Sequence, residues 1–262
     1  MRNVSVHNVW LNGIALSSVD ASIIVRPAIE DVPNASLTYL SNAGRSGRRI
    51  AKDLRESKVI RVCFSIKGLY NLSERARIID AVNAWAYAGG VLQISSRLGQ
   101  QINVTCIKYA VTGETMLPSE AYELEFEANI CPYWEASDVT RIVLTGTSES
   151  AVIAIPGNTM TVVEAIVTPT EGTLNNLNLS VQSSSGISGI YLENLDISSG
   201  IVINVGYDTN RFFAISCNNI SLLQYRLANS SDELFTSNGN ATVNFVADTA
   251  VSIEFRVRGR WL

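Results

Sequence analysis

The sequence predicts a mainly β protein of two domains, the first carrying one packed helix. Three observations lead there. Apolar residues fall at every second position in stretches such as 121–130, 241–245 and 251–257, the period of a strand with one buried face. Only about 73–88 shows apolar spacing of three and four, the period of a helix. Composition also changes near residue 137: positions 142–262 hold five Arg and ten acids but no Lys. The expected domains are therefore 1–137 and 138–262.

The elements follow in order. Residues 4–11 read as a strand closed by an Asn12-Gly13 turn, with further strands through 29. The stretch 32–57 contains Pro33, Gly44 and Gly47 and reads as a loop. Strand pattern returns at 59–66. The helix follows, with Asn71 and Glu74 spaced as a capping box and Ser73 as the other candidate cap. Ala76, Ile78, Ile79, Val82, Trp85 and Ala86 form its apolar stripe, and Arg75, Arg77, Asp80 and Asn83 its polar side. Gly89-Gly90 ends it. Strands are expected at 91–95 and 101–110. In 121–130, Tyr122, Leu124, Phe126 and Ala128 take one face, and Glu123, Glu125 and Glu127 the other.

Beyond Ala136 about nine short strands separated by turns, with no helix, predict a two-sheet jelly-roll sandwich. One of these strands is placed at 222–227. The last two, 241–245 and 251–257, read as a hairpin turning at Ala247-Asp248-Thr249.

Composition narrows the function classes. With 262 residues, 47% apolar and 17% charged, the chain suits a soluble globular protein. No apolar run approaches the roughly 20 residues of a membrane span, so no membrane insertion is expected. The polar residues among the first ten argue against a secretory signal, and synthesis in a reducing cytoplasm is expected. Cys63, Cys106, Cys131 and Cys217 make no C-x-x-C unit and read as buried free thiols. A net charge of −4 offers no basis for sequence-specific nucleic-acid binding.

Catalysis is not expected. The one histidine, His7, has no nucleophile in a recognisable arrangement. The carboxylates of Glu123, Glu125 and Glu127 lie along one strand face rather than opposed across a cleft. Neither a metal site nor a cofactor site is expected. A carbohydrate-binding sandwich serving host or glycan adhesion is the alternative reading, although Trp261 is the only Trp in the second domain.

One basic segment stands out: Arg45, Arg48, Arg49, Lys52, Arg55, Lys58 and Arg61 lie within 17 residues. It reads as a solvated loop or hairpin, as a nucleic-acid arm, or as a contact with an acidic partner surface. For the third reading, the Glu123, Glu125 and Glu127 face of a neighbouring copy is the candidate complement.

The order of parts resembles the distal tail proteins of long-tailed, siphovirus-type bacteriophages. The resemblance rests on Asn71-Leu72-Ser73-Glu74-Arg75 opening a helix with Ala84-Trp85-Ala86 and Gly89-Gly90, then on Cys131-Pro132-Tyr133-Trp134, and on an alternating strand into Arg258-Gly259-Arg260-Trp261. It implies an N-terminal split-barrel-like β domain that assembles into a hexameric ring, and a C-terminal galectin-like sandwich. It further implies a structural, non-enzymatic role at the tail tip or baseplate of the virion, made in the host bacterial cytoplasm. The implied partners are the tail tube protein, a tail-associated lysin or central fibre protein and, in some members, a receptor-binding protein.

Overall fold

The computed structural model describes residues 7–32, 35–40, 49–55, 57–67, 71–111, 121–128, 131–207 and 213–262. The chain divides into two compact units, Met1–Trp134 with Leu262, and Glu135–Trp261. Among the described residues no helix is long and apolar enough to cross a membrane.

The first unit contains β1 (Val9–Leu11), β2 (Ile14–Ala15), β3 (Ile23–Val25), β4 (Ile29–Glu30), β5 (Ala35–Leu40), β6 (Arg49–Arg55) and β7 (Lys58–Ile66). Then come α1 (Leu72–Tyr87), β8 (Gly90–Ile94), β9 (Gln100–Lys108) and β10 (Tyr122–Ala128), with β11 (Trp134–Ala136) at the division. The strands form an antiparallel sheet in the order β2-β1-β8-β9-β10-β7-β3, with β4 also on β7. Alternation sets its faces: Ile60, Val62, Phe64 and Ile66 of β7 and Tyr122, Leu124, Phe126 and Ala128 of β10 are buried. The core side of α1 presents Ile78, Ile79, Val82 and Ala86, and Trp85 meets Phe126 edge-on at 6.2 Å.

Two local devices explain the helix ends. Asn71 is the cap, its side chain accepting from the Ser73 N–H at 3.0 Å. At the other end the Asn12 amide donates to the Gly89 carbonyl at 2.8 Å and accepts from the Val91 N–H at 2.9 Å. The Asn12-Gly13 turn, left-handed at both residues, is thereby tied to the helix exit.

Two expectations for this unit need correction. Residues 32–57 are not all loop, because β5 and β6 pair antiparallel as a separate two-stranded ribbon, from Ala35↔Arg55 to Leu40↔Arg49. A ribbon outside the main sheet needs no strict apolar alternation, so the pattern that marks the other strands is missing. Arg75, assigned to the polar side of the helix, is 3% exposed, with its guanidinium over the Tyr122 ring at 5.8 Å. Its apolar stem packs inward and its flat head lies on an aromatic face.

The second unit runs β12 (Thr140–Ile155), β13 (Thr161–Pro169), β14 (Thr173–Leu174), β15 (Leu177–Ser183), β16 (Gly186–Leu192), β17 (Ile197–Ser198) and β18 (Ile203–Tyr207). It continues with β19 (Phe213–Cys217), β20 (Ile220–Ser221), β21 (Phe235–Thr236), β22 (Gly239–Val257) and β23 (Arg260–Trp261).

Its centre is a long antiparallel ribbon that contradicts the expected closing hairpin. Residues 239–257 are one strand, β22, whose two halves pair successively with two halves of β12. The register slips between Gly146 and Ser148, where Gly146 has φ +119, a conformation that side chains other than hydrogen rarely adopt. On its other edge β22 pairs first with β15 and then, from Val251, with β13. The ribbon thus belongs to two layers, β16-β15-β22-β12 and β12-β22-β13-β18-β19-β20. Bulged strands that change layer are a common way to turn such a corner. The parity was visible: Ala241, Val243, Phe245 and Ala247 share odd positions with Val251, Ile253, Phe255 and Val257, and all are buried.

The segment 222–227 is also corrected, since it holds a short 3-10 turn at Leu223–Tyr225 rather than a strand. The Ser221 hydroxyl accepts from the Leu223 N–H at 3.4 Å, a local bond that competes with strand pairing. At the β16 edge the Ser231 and Ser230 hydroxyls accept from the N–H groups of Gly189 and Tyr191, both at 3.0 Å. Covering those donors blunts the edge against further pairing.

Candidate functional site

The charged residues singled out in the sequence are distributed unevenly. Arg45 and Arg48 lie outside the described residues. Arg49, Lys52 and Arg55 stand on β6, opposite Leu40, Thr38 and Ala35. Glu123, Glu125 and Glu127 stand on β10, opposite Cys63, Arg61 and Val59 of β7. Lys108 bridges Glu123 and Glu125 at 3.0 Å each, and Arg61 lies 4.0 Å from Glu125 and 2.8 Å from Asp31. The Lys108 hydrogen bond is the chief influence holding the Glu123 carboxyl below its ordinary value. Two of the three carboxylates therefore have cations on their own sheet face, an open face where solvent screens each pair.

A second charged cluster in this unit was not foreseen. Glu30 accepts from Arg97 Nε at 2.8 and 2.9 Å, from the Trp134 indole N–H at 2.8 Å and from Lys58 Nζ at 3.4 Å. Lys58 is 2% exposed, and both Lys58 and Arg97 lie over the Trp134 ring, at 5.9 and 5.3 Å. Burial is the largest influence on Glu30 and disfavours its ionisation, yet the hydrogen bonds from Arg97 and Trp134 outweigh it, leaving the carboxyl below its ordinary value. Burial pulls the Lys58 ammonium down, against the attraction of Glu30. One signal was available: Lys58 shares the parity of Ile60, Val62, Phe64 and Ile66, which puts it on the core face.

In the second unit the residues alternating with Phe255, Val257 and Gly259 are arginines, each spent differently. Arg256 pairs with Glu254 at 2.8 Å. Arg258 donates to the carbonyls of Ala136 and Ser137 at 3.0 and 2.9 Å. Arg260 pairs with Glu135 at 3.0 Å, with side chains 11% and 6% exposed, and lies over the Tyr207 ring at 5.6 Å. The Tyr207 hydroxyl donates to Glu233 at 3.1 Å. Burial pushes this phenol up to about 12, with Arg260 opposing and Glu233 adding.

Beside this row the outer face of the β22-β13-β18-β19 layer holds a depression of about 250 Å³. Its floor is the cross-strand pair Gly206 and Ala214, and Glu164, Asn204, Ser216 and Arg256 stand around it. Glu164 folds across Gly206 so closely that a β-carbon there would come within 2.8 Å of its Cγ.

Cys106 and Cys217 are buried and Cys63 and Cys131 only half-buried, all as free thiols. Burial, followed by the neighbouring Glu123, pushes the Cys63 thiol up. Among the described residues no group of three or more His, Cys, Asp or Glu converges as a metal set would.

No family model matches the chain, and no curated protein matches it by sequence. Solved structures do. The chain is similar to the Dit protein of phage SPP1, described as a paradigm of hub adsorption apparatus in phages that infect Gram-positive hosts. The TM-score is 0.65 at 13% identity, over 98% of this chain and 100% of that one. Chains of the phage P2 baseplate in its activated conformation, with Ca and with Sr, are similar at TM-scores of 0.45 and 0.44 and 8% identity. The resemblance to distal tail proteins read from the sequence is borne out at the level of the fold.

Proposed function

We propose that the chain is a non-enzymatic structural component of a bacteriophage tail tip or baseplate. In this reading it forms a hexameric ring hub that joins the tail tube to tail-tip and host-recognition proteins. One observation carries the reading: both units match the SPP1 hub protein together, in one order, over nearly the whole of each chain. Its place is then the virion, after synthesis in the host bacterium. Its neighbours are the tail tube protein, a tail-associated lysin or central fibre protein, and a receptor-binding protein. The second unit is the galectin-like domain of this arrangement.

Ring closure by head-to-tail contact needs two different patches on each copy. We assign one to the basic segment with Arg45, Arg48, Arg49, Lys52 and Arg55, part of which is a ribbon outside the main sheet. The other is the Glu123, Glu125 and Glu127 face. Because Lys108 and Arg61 already offset Glu123 and Glu125, charge sets register and encounter here, and apolar contact supplies most of the stability.

Light scattering on the full chain tests both levels. A ring gives a mass near six times 28.5 kDa, and a monomer at all concentrations overturns the hub reading. Replacing Arg45, Arg48 and Arg49 with Ser should weaken assembly most at low salt. Assembly unchanged across a salt series removes the ribbon from the interface but leaves the ring.

A further inference from the structure

The geometry points to the depression over Gly206 and Ala214 as a binding site for a neutral polyhydroxylated ligand, one saccharide unit in size. This is independent of whether the chain forms a ring.

The first support is how the hollow is made. On a sheet's outer face, neighbouring strands normally fill the surface with side chains. Here the paired positions on β18 and β19 are Gly206 and Ala214, and the missing volume is the hollow itself. Its size of about 250 Å³ lies just under the roughly 300–1,000 Å³ of sites for drug-sized ligands, which leaves room for a single ring.

The second support is unspent hydrogen-bonding capacity. Arg256 Nε is buried and has no partner among the described residues, because the Glu254 bond uses the other end of the guanidinium. Glu164 accepts only a long bond of 3.4 Å, from the Tyr207 N–H. Among the described residues neither the Asn204 amide nor the Ser216 hydroxyl, cross-strand partners at the rim, has a side-chain partner. Guanidinium, carboxylate, amide and hydroxyl at one hollow supply both donors and acceptors, as adjacent hydroxyl groups require.

Charge and topology exclude the other classes. Arg256 shares Glu254 with Arg141, and Glu164 adds a second carboxylate, so among these charges an anion would meet no net positive charge. A polypeptide would need an exposed strand edge or an aromatic anchor pocket. The hollow lies within the sheet, with β20 beyond β19, and Tyr207, the aromatic at its edge, already packs against Phe213 and Arg260. Among the described residues no aromatic face at the hollow is left to stack on, so binding is expected to be weak and set by hydrogen bonds.

Saturation-transfer NMR on the full chain suits weak binding and any oligomeric state. The probes are glucose, galactose and N-acetylglucosamine at millimolar concentration, with citrate and a Gly-Ser peptide as the other classes. At least one sugar should give a signal. Asn204→Ala at an exposed position should reduce it about tenfold, the effect of losing one good polar contact, and Ala214→Leu, which occupies the hollow, should abolish it. Thermal melting identifies a variant that fails to fold, in which case the other decides. No signal from any sugar, a signal from citrate or peptide alone, or a sugar signal unchanged in a folded variant would each overturn the assignment.

Discussion

Replacing Glu30 with Ala should damage the protein far more than replacing its buried partner Lys58 with Met. Glu30 is the acceptor that Arg97, the Trp134 indole and Lys58 share, and removing it takes the described acceptor from the indole and from the buried ammonium of Lys58, while Arg97 keeps Gln100 and the Leu262 oxygen. Removing one partner of a buried charge pair typically costs about 3–5 kcal/mol, because the other is left uncompensated in a poor solvent. Lys58→Met leaves Glu30 with Arg97 and Trp134 and fills the space with an apolar chain of similar length, a change expected to lie within about 1 kcal/mol of neutral. For a unit of this size each kcal/mol moves the midpoint by roughly 3–5 °C, so Glu30→Ala should lower it on the order of 10–20 °C. Calorimetry with tryptophan fluorescence follows this unit well, since Trp10, Trp85 and Trp134 all belong to it. Equal damage from both substitutions would show that the ammonium itself, and not its compensation, holds the cluster together. A change under about 1 kcal/mol from Glu30→Ala would show that water reaches these groups freely.

Three further outcomes follow from the same geometry. In acid, Glu30 should contribute stability that is present above its unfolded value of 4.5 and lost as pH falls through its lower folded value, so Glu30→Gln should flatten the acid limb of the first unit's stability. The Tyr207 phenol is raised from 10.0 to about 12, so its contribution is complete below 10 and fades as pH rises toward 12. Phenolate absorbance should include a component titrating near 12 that Tyr207→Phe removes; a normal midpoint for that component would mean the phenol is solvated. A fragment starting at Glu135 should be more stable in urea than one starting at residue 138 by about 3 kcal/mol or more, because the shorter one strips Arg260 of its carboxylate and Arg258 of two carbonyl acceptors. Equal midpoints would place the working boundary after Ser137.

What could be read from the chain was whatever local spacing decides. The α1 stripe, the Asn12-Gly13 turn and the strict alternation of β10 each follow from the immediate neighbourhood. The misread elements depend on partners far away in sequence. Nothing near Asp248 announces that the strand continues rather than turns, because what keeps it extended is a change of neighbour from β15 to β13. The shared parity across 247–251 was the one local trace of that. Lys58 and Arg75 look like surface cations until Glu30 and Tyr122 are brought to them by the sheet. The hollow on the second unit could not be read at all. It exists because Gly206 and Ala214 face each other across two strands, and each alone is an ordinary small residue.

The shared ribbon also governs when the second unit can form during synthesis. Strands β12, β13 and β15 all take β22 as a neighbour, and β22 comprises residues 239–257. At about 5–20 residues per second, those earlier strands leave the ribosome several seconds before their common partner exists. Through that interval Leu177, Leu179 and Val181 of β15 and Val163, Ala165 and Val167 of β13 lack the chain that will cover them. The first unit, all of which but Leu262 precedes Glu135, is free to fold meanwhile. A premature stop before residue 239 would therefore release a folded first unit trailing strands with nothing to pair with, a species prone to aggregate rather than a smaller version of the protein.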